Sequence, residues 1–280
     1  MCCKPLIKWV GGKRQLLNSL ISLLPQKYNR YYEPFIGGGA LFFSLKHKNS
    51  FISDYNFELT NLYNCVKTNP NELIKDLFKH LNNKEYYYNI RLLDRDAEKY
   101  ASLSNIEKAS RFIFLNKTGF NGLYRVNMKG QNNVPFGKYK NPNWINEENI
   151  RECSKLLKYT EIGTGDFEII KPYIKKGDFV YLDPPYAPLK ATSFVAYTKK
   201  GFDSDSQERL KRLCAYIDKI GAYFMLSNSY SDFVLELYGD YNIKTVMANR
   251  MVNCKAIGRG KVKDVVITNY NTNFNKNNLG

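Results

Sequence analysis

The sequence predicts an α/β fold interrupted by a largely helical insertion, and three observations carry that expectation. Strand-like and helix-like stretches alternate at both ends of the 280-residue chain, as in folds that layer helices on a sheet. Residues 57–160 are mostly helical in pattern. Within them, a segment near 118–140 is crowded with Gly, Asn, aromatic and cationic residues. The predicted organisation is one α/β domain built from residues 1–56 and 161–280, with residues 57–160 as an insertion that carries a β-hairpin.

The elements follow in order. Leu16, Leu17, Leu20, Ile21 and Leu24 recur at helical spacing and stop at Pro25, which predicts a first amphipathic helix. Residues 31–35 read as a short strand, Gly37-Gly38-Gly39 as a turn, and 40–46 as a helix. Phe51-Ile52-Ser53 reads as a second strand ending at Asp54, which completes a βαβ unit. In the insertion, 122–126 and 132–136 are spaced to pair as a hairpin across Met128-Lys129-Gly130. A binding surface and a plain surface hairpin both fit that segment. Alternation resumes with a strand at 180–183. Ser204 and Gln207 predict a capping box for a helix whose apolar face is Leu210, Leu213, Cys214 and Ile217, and Gly221 is placed to end it. Strands at 223–226, 243–247 and 265–268 follow, and the Asn-rich tail 269–280 is expected to fray.

Composition narrows the function. No apolar run approaches the ~20 residues of a membrane span, and the start shows no signal-peptide core, so a cytoplasmic protein without membrane contact is expected. The six cysteines are scattered with no Cys-x-x-Cys pair, and His47 and His80 are the only histidines. Neither a disulfide framework nor a metal site is expected. Lys and Arg number 42 against 26 Asp and Glu, a formal charge of +16. Such an excess favours a polyanionic partner, most often nucleic acid; a solvated basic surface is the plainer reading.

Two familiar nucleotide motifs are excluded. "GGKRQ" (11–15) has Arg14 where a phosphate loop needs Ser or Thr, and no glycine at position 7. "GGGALF" (37–42) has Phe42 where a dinucleotide fingerprint needs its third glycine. The glycines still allow a ligand to approach bare backbone, and Asp54 at the end of the next strand is placed to grip ribose hydroxyls. A tight turn with an exposed Asp is the alternative.

"VYLDPPYAPL" (180–189) ends a strand at an acid, two prolines and a tyrosine. The prolines break the ladder and fix φ, holding Asp183 and Tyr186 on a stiff rim. An adenosine-bearing cofactor, this rim and a basic hairpin point together to methyl transfer from S-adenosylmethionine (SAM), which needs no metal. An adenine amino group is a poor nucleophile until acceptors hold its hydrogens. The Asp183 carboxylate and the Pro184 carbonyl are suitable acceptors, and Tyr186 offers a stacking face worth ~1–3 kcal/mol. In a duplex the base must first be flipped out.

The same residues carry a resemblance. "IKWVGGKRQLL" (7–17), "YYEPFIGGGALFF" (31–43), "SDYN" (53–56), "NGLYRVN" (121–127), "NVPFGKYKNP" (133–142), "VYLDPPYAPL" (180–189) and "LSNS" (226–229) resemble the Dam family of DNA adenine methyltransferases, most closely the GATC-modifying enzymes of restriction systems. The likeness runs in order from about residue 7 to 270. It implies a Rossmann-like methyltransferase sheet with an inserted target-recognition domain. It also implies SAM as cofactor, held by Trp9, Lys13, Phe35, Gly37, Asp54 and Asp183. For double-stranded DNA, it implies that Arg125 reads a guanine, Leu123 meets a thymine methyl, Phe120 and Asn121 enter the gap left by the flipped base, and Pro135 and Lys8 make further base contacts. The implied specificity is GATC, although Phe120 stands where some relatives have Tyr and Lys117 where some have Arg. A monomer is expected, and a cognate restriction endonuclease is left open as a partner. The basic loop 249–263 fits phosphate contact and a solvated loop equally.

Rival readings are weaker. A cytosine-ring methyltransferase would need a catalytic cysteine, usually after proline, and no Pro-Cys occurs. A SAM-dependent enzyme acting on RNA adenine or a protein amide would keep Asp183 but would not need the Arg125 hairpin. A DNA-binding regulator would gain nothing from the rim and the cofactor loop.

Overall fold

The computed structural model describes residues 3–186, 202–249 and 261–272. The last three residues of the 180–189 stretch, residues 250–260 of the basic loop, Cys2, Cys254 and residues 273–280 of the tail lie outside them. Seven strands form a mixed sheet: β1 (Tyr31–Glu33), β2 (Ser50–Asp54), β3 (Thr160–Thr164), β4 (Phe179–Leu182), β5 (Tyr223–Ser229), β6 (Asn242–Asn249) and β7 (Lys261–Thr268). The chain divides into two compact units, one of Met1–Gly12, Gly37–Lys48 and Asp54–Gly165, the other of Lys13–Ile36, Asn49–Ser53 and Asp166–Gly280.

In the second unit the strand order is β2-β1-β4-β5-β7-β6. β1 runs parallel to β2 and β4, and β4 parallel to β5; β7 is antiparallel to both β5 and β6. Central parallel strands are covered on both faces, so they read as continuous apolar runs. All four residues of β4 are accordingly buried, as are Tyr31 and Tyr32. The chain leaves β1 in one direction across the sheet and returns to β4 on its other side. Ligands of open α/β sheets sit outside the carboxyl ends of the strands at such a switch. Pro34-Phe35 follows the end of β1, and Asp183-Pro184-Pro185-Tyr186 follows the end of β4.

Beneath the sheet, Leu210, Leu213, Cys214 and Ile217 bury the predicted face of helix Ser204–Lys219 among Leu182, Phe224 and Leu226. Its cap differs from expectation. Asp203, not Ser204, accepts from the Ser206 N–H at 2.9 Å and from the Ser206 hydroxyl at 2.8 Å. An Asp one residue upstream competes as well for that role as a Ser. Gln207 turns inward instead and donates Nε2 to the Pro185 carbonyl at 3.4 Å. Gly221 ends the helix at φ +74°, and the Ala222 N–H returns to Ile217 O at 3.0 Å.

The first unit is mainly helical, with Ala40–Leu45 and, within the stretch 57–160 expected to be helical, Phe57–Thr68, Pro70–Leu77, Lys84–Leu92, Ala97–Ser102, Asn105–Thr118 and Glu147–Leu157. Helix Asn105–Thr118 starts at a capping box made by Ser104 and Glu107. The predicted hairpin forms as a short, irregular ladder: bridges Gly119↔Phe136 and Val126↔Asn132, with the Asn127 N–H donating to Gln131 O at 2.8 Å and the Asn133 N–H to Arg125 O at 3.0 Å. Side chains from helix Lys84–Leu92 and the turn Leu93–Arg95 supply further partners to its return arm. Tyr87 Oη and Arg91 Nη1 donate to Val134 O at 2.9 and 3.1 Å, and Arg95 Nη2 donates to Asn132 O at 2.6 Å. Asp94, paired with buried Arg111 at 2.8 Å, accepts the Asn132 N–H at 2.8 Å.

Candidate active site

Each unit assembles its own share of the predicted residues. In the second unit the rim beyond β4 gathers four polar side chains. Lys13, on the short 3-10 turn Lys13–Leu16, places Nζ 2.7 Å from Asp183 Oδ1 and 4.5 Å from the Tyr186 ring centroid. Tyr186 Oη donates to Asp264 Oδ2 at 3.2 Å. Burial pushes the Asp183 carboxyl above its usual range; Lys13 opposes the shift and Asp264 adds to it. A carboxylate of raised pKa binds protons more avidly, which suits an acceptor for an amine N–H. Burial first, then Asp183 and Asp264, hold the Tyr186 phenol far above its ordinary pKa, so it remains a hydrogen-bond donor. Gln207 braces the second proline, and its own Oε1 accepts from Asn228 Nδ2 at 3.4 Å. Phe35 lies among aromatics, 5.4 Å from the Phe167 centroid and 5.7 Å from Phe202.

In the first unit, Trp9, Gly37 and Asp54 meet. A side chain on Gly37, whose φ is +45°, would put Cβ 2.7 Å from Trp9 Cδ1, so only glycine lets the indole pack on this turn. The Gly37 N–H donates to Asp54 Oδ2 at 3.0 Å, and the Asn56 N–H to Oδ1 at 2.9 Å. Burial raises the Asp54 pKa against these two bonds. Tyr63 Oη donates to the Gly37 carbonyl at 2.6 Å and pins the loop from its other side.

The predicted base-reading residues also cluster in the first unit. Phe120, half exposed at 51%, donates its N–H to Pro135 O at 2.8 Å. Lys8 Nζ donates to Asn121 O at 2.6 Å, and Asn121 takes a left-handed conformation at φ 56°. Lys8 therefore braces the bend that presents Phe120 and Asn121. Arg125 is exposed, and its guanidinium is steered by Asn133 through Nε–Oδ1 at 2.6 Å and Nη2–O at 3.4 Å. The sequence reading missed Tyr124, which stacks on Trp9 at 5.4 Å and 23°. Alternation was the available signal: an extended chain that offers Leu123 and Arg125 outward turns Tyr124 in.

A family model described as D12 class N6 adenine-specific DNA methyltransferase matches residues 9–252. The chain belongs to this class. The adenine methyltransferase is 46% identical over 272 residues to a type II methyltransferase, M1.LlaDCHI, of Lactococcus lactis subsp. cremoris, covering 95% of each chain. It is 44% identical over 288 residues to the type II methyltransferase M.MjaIII of Methanocaldococcus jannaschii, covering 95% of this chain and 99% of that one. A DNA adenine methylase of Haemophilus influenzae is 33% identical over 270 residues, with 94% and 92% covered. The methyltransferase family implies SAM as methyl donor and DNA as substrate. Among its described residues, no helix is long and apolar enough to cross a membrane.

Proposed function

We propose that this adenine methyltransferase flips the adenine of GATC out of duplex DNA and methylates its exocyclic amino group. The observation that carries the reading is the rim: a carboxylate of raised pKa, locked between two prolines and Lys13, beside a tyrosine whose hydroxyl is anchored. Asp183 and the Pro184 carbonyl accept the amine hydrogens, and Tyr186 bears the base. Trp9, Lys13, Phe35, Gly37, Asp54 and Asp183 hold SAM. The fit is supported by the bare backbone at Gly37 under the Trp9 indole and by the buried Asp54 carboxylate. When bound, SAM supplies an electrophilic methyl group on a sulfonium. The protein's part is to aim the amine and to exclude water.

Residues 57–160 serve as the target-recognition insertion on a catalytic domain of 1–56 and 161–280. Arg125 supports the guanine assignment, because Asn133 occupies two of the five guanidinium donors and leaves three for a base edge. Leu123 contacts the thymine methyl, Phe120 and Asn121 fill the vacated stack, and Pro135 and Lys8 complete the reading surface. The type II names of two relatives support a place in a restriction-modification system with a cognate endonuclease. Transfer of labelled methyl groups from SAM to duplexes tests the reading. Label should enter GATC duplexes and fall sharply in every single-base variant. Equal label in all variants would remove the GATC assignment, and label in RNA alone would remove duplex DNA as substrate.

A further inference from the structure

Asp264 lies outside every motif, yet it contacts the rim. It opens the apolar run of β7 and is paired with Ser229 of β5 on one side and Val246 of β6 on the other. Its position is thus fixed by two ladders, and it is 5% exposed. A buried carboxylate in a sheet is tolerated only where polar partners meet it. One partner is the Tyr186 hydroxyl at 3.2 Å, 78 residues away in sequence. On its other side the same ring carries Lys13 Nζ at 4.5 Å from the centroid, and Lys13 is paired with Asp183. The ring is therefore gripped at the hydroxyl by one acid and at the face by a cation that a second acid holds.

From this geometry we infer that Asp264 is a positioning residue: through the Tyr186 hydroxyl it holds in place the ring on which the target adenine stacks. The inference rests on the reading of Tyr186 as that platform. The tyrosine has two ways to move, rotation about χ1 and about χ2. The flanking prolines limit the backbone but neither torsion. The hydroxyl lies on the χ2 axis, so its bond to a fixed carboxylate holds χ1, while Lys13 Nζ 4.5 Å over the ring face limits χ2, and the platform exists before the base arrives. Asp264 touches no reacting atom, and its contribution should appear in turnover and base placement and leave cofactor affinity unchanged.

The test uses the full-length enzyme, a GATC duplex for turnover, the same duplex with 2-aminopurine at the target adenine for base placement, and three single variants with one double variant. Asp264→Leu removes the acceptor, Asp264→Asn keeps a neutral one, and Tyr186→Phe removes the donor without touching β7. Asp264→Leu should lower kcat about tenfold, the fold-change expected when a hydrogen bond to a charged group is lost. It should also change the 2-aminopurine signal of the bound duplex, with SAM affinity within about threefold of wild type. Asp264→Asn should recover most of kcat, and Tyr186→Phe combined with Asp264→Leu should be no worse than either alone. Wild-type turnover in Asp264→Leu, a loss confined to SAM affinity, or additive losses in the double variant would each overturn the inference. Should Asp264→Leu fail to fold, Tyr186→Phe must show the tenfold loss by itself, and full turnover in it would overturn the inference equally. Methyl transfer to no duplex by the wild-type enzyme would overturn the function itself, and this inference with it.

Discussion

On the proposed role, Asp183 accepts an amine hydrogen best when ionised, and its surroundings set the pH at which it is. Burial raises its pKa above the ordinary 3.8, and Lys13 at 2.7 Å pulls the other way. Turnover should therefore fall as pH drops through the raised value, on an acid limb above that of an ordinary aspartate. Lys13→Met removes the opposing charge, so that limb should move to still higher pH in kcat measured at saturating SAM and DNA. An unmoved limb would assign the titration to another group. Asp183→Ala should lower kcat by about 10²–10³-fold, comparable to loss of one preorganised polar contact in an active site, with duplex affinity retained; preserved turnover would refute its role. At this scale the sequence disclosed the residues whose chemistry is local. Asp183 between a strand and two prolines, and Gly37 before a helix, announce themselves by their neighbours. Tyr124 and Asp264 do not, because what they do is defined by a ring or a hydroxyl far along the chain.

Periodicity disclosed most helices and strands, because burial on one or both faces leaves a repeat in the sequence. The segment 118–140 was harder. Its turn residues are those of a hairpin, but only a few backbone bonds join its arms, and the side chains of Tyr87, Arg91, Asp94 and Arg95 hold the outer edge of the return arm. Pairing between a strand and a set of helix side chains leaves no period to read. The same holds for helix Ser204–Lys219, where Asp203 and Ser204 are both good caps and only the geometry chooses between them. The anchoring predicts a consequence. Asp94 serves Arg111 and Asn132 at once, and Arg111 is 5% exposed. Asp94→Ala leaves that guanidinium buried without its counter-charge, a change that costs ~3–5 kcal/mol. Chemical denaturation should show a loss of that size, and with the 132–136 arm of the hairpin freed the variant should methylate single-base variants of the preferred site more readily than wild type does. A stability loss under about 1 kcal/mol would mean that the arm is held elsewhere.

The charge of +16 belongs to the molecule as a whole and acts through the whole duplex. Each phosphate contact releases counterions, so log K should fall linearly with log salt at a slope near −0.9 per contact. Base reading adds affinity for one sequence without adding to that slope. The two contributions are therefore separable in one experiment, and Arg125 is the residue on which to separate them. Exposed and steered by Asn133, it is proposed for the base-reading set rather than for the general field. Titrations of wild type and Arg125→Ala across a salt series, on a GATC duplex and on a variant with its guanine replaced, should give four lines of nearly equal slope. The wild-type lines should be separated by ~1–3 kcal/mol and the Arg125→Ala lines should nearly coincide. A slope smaller by about one in the variant, with the gap between duplexes intact, would make Arg125 a phosphate contact. Guanine recognition would then have to come from another residue of the 118–140 segment.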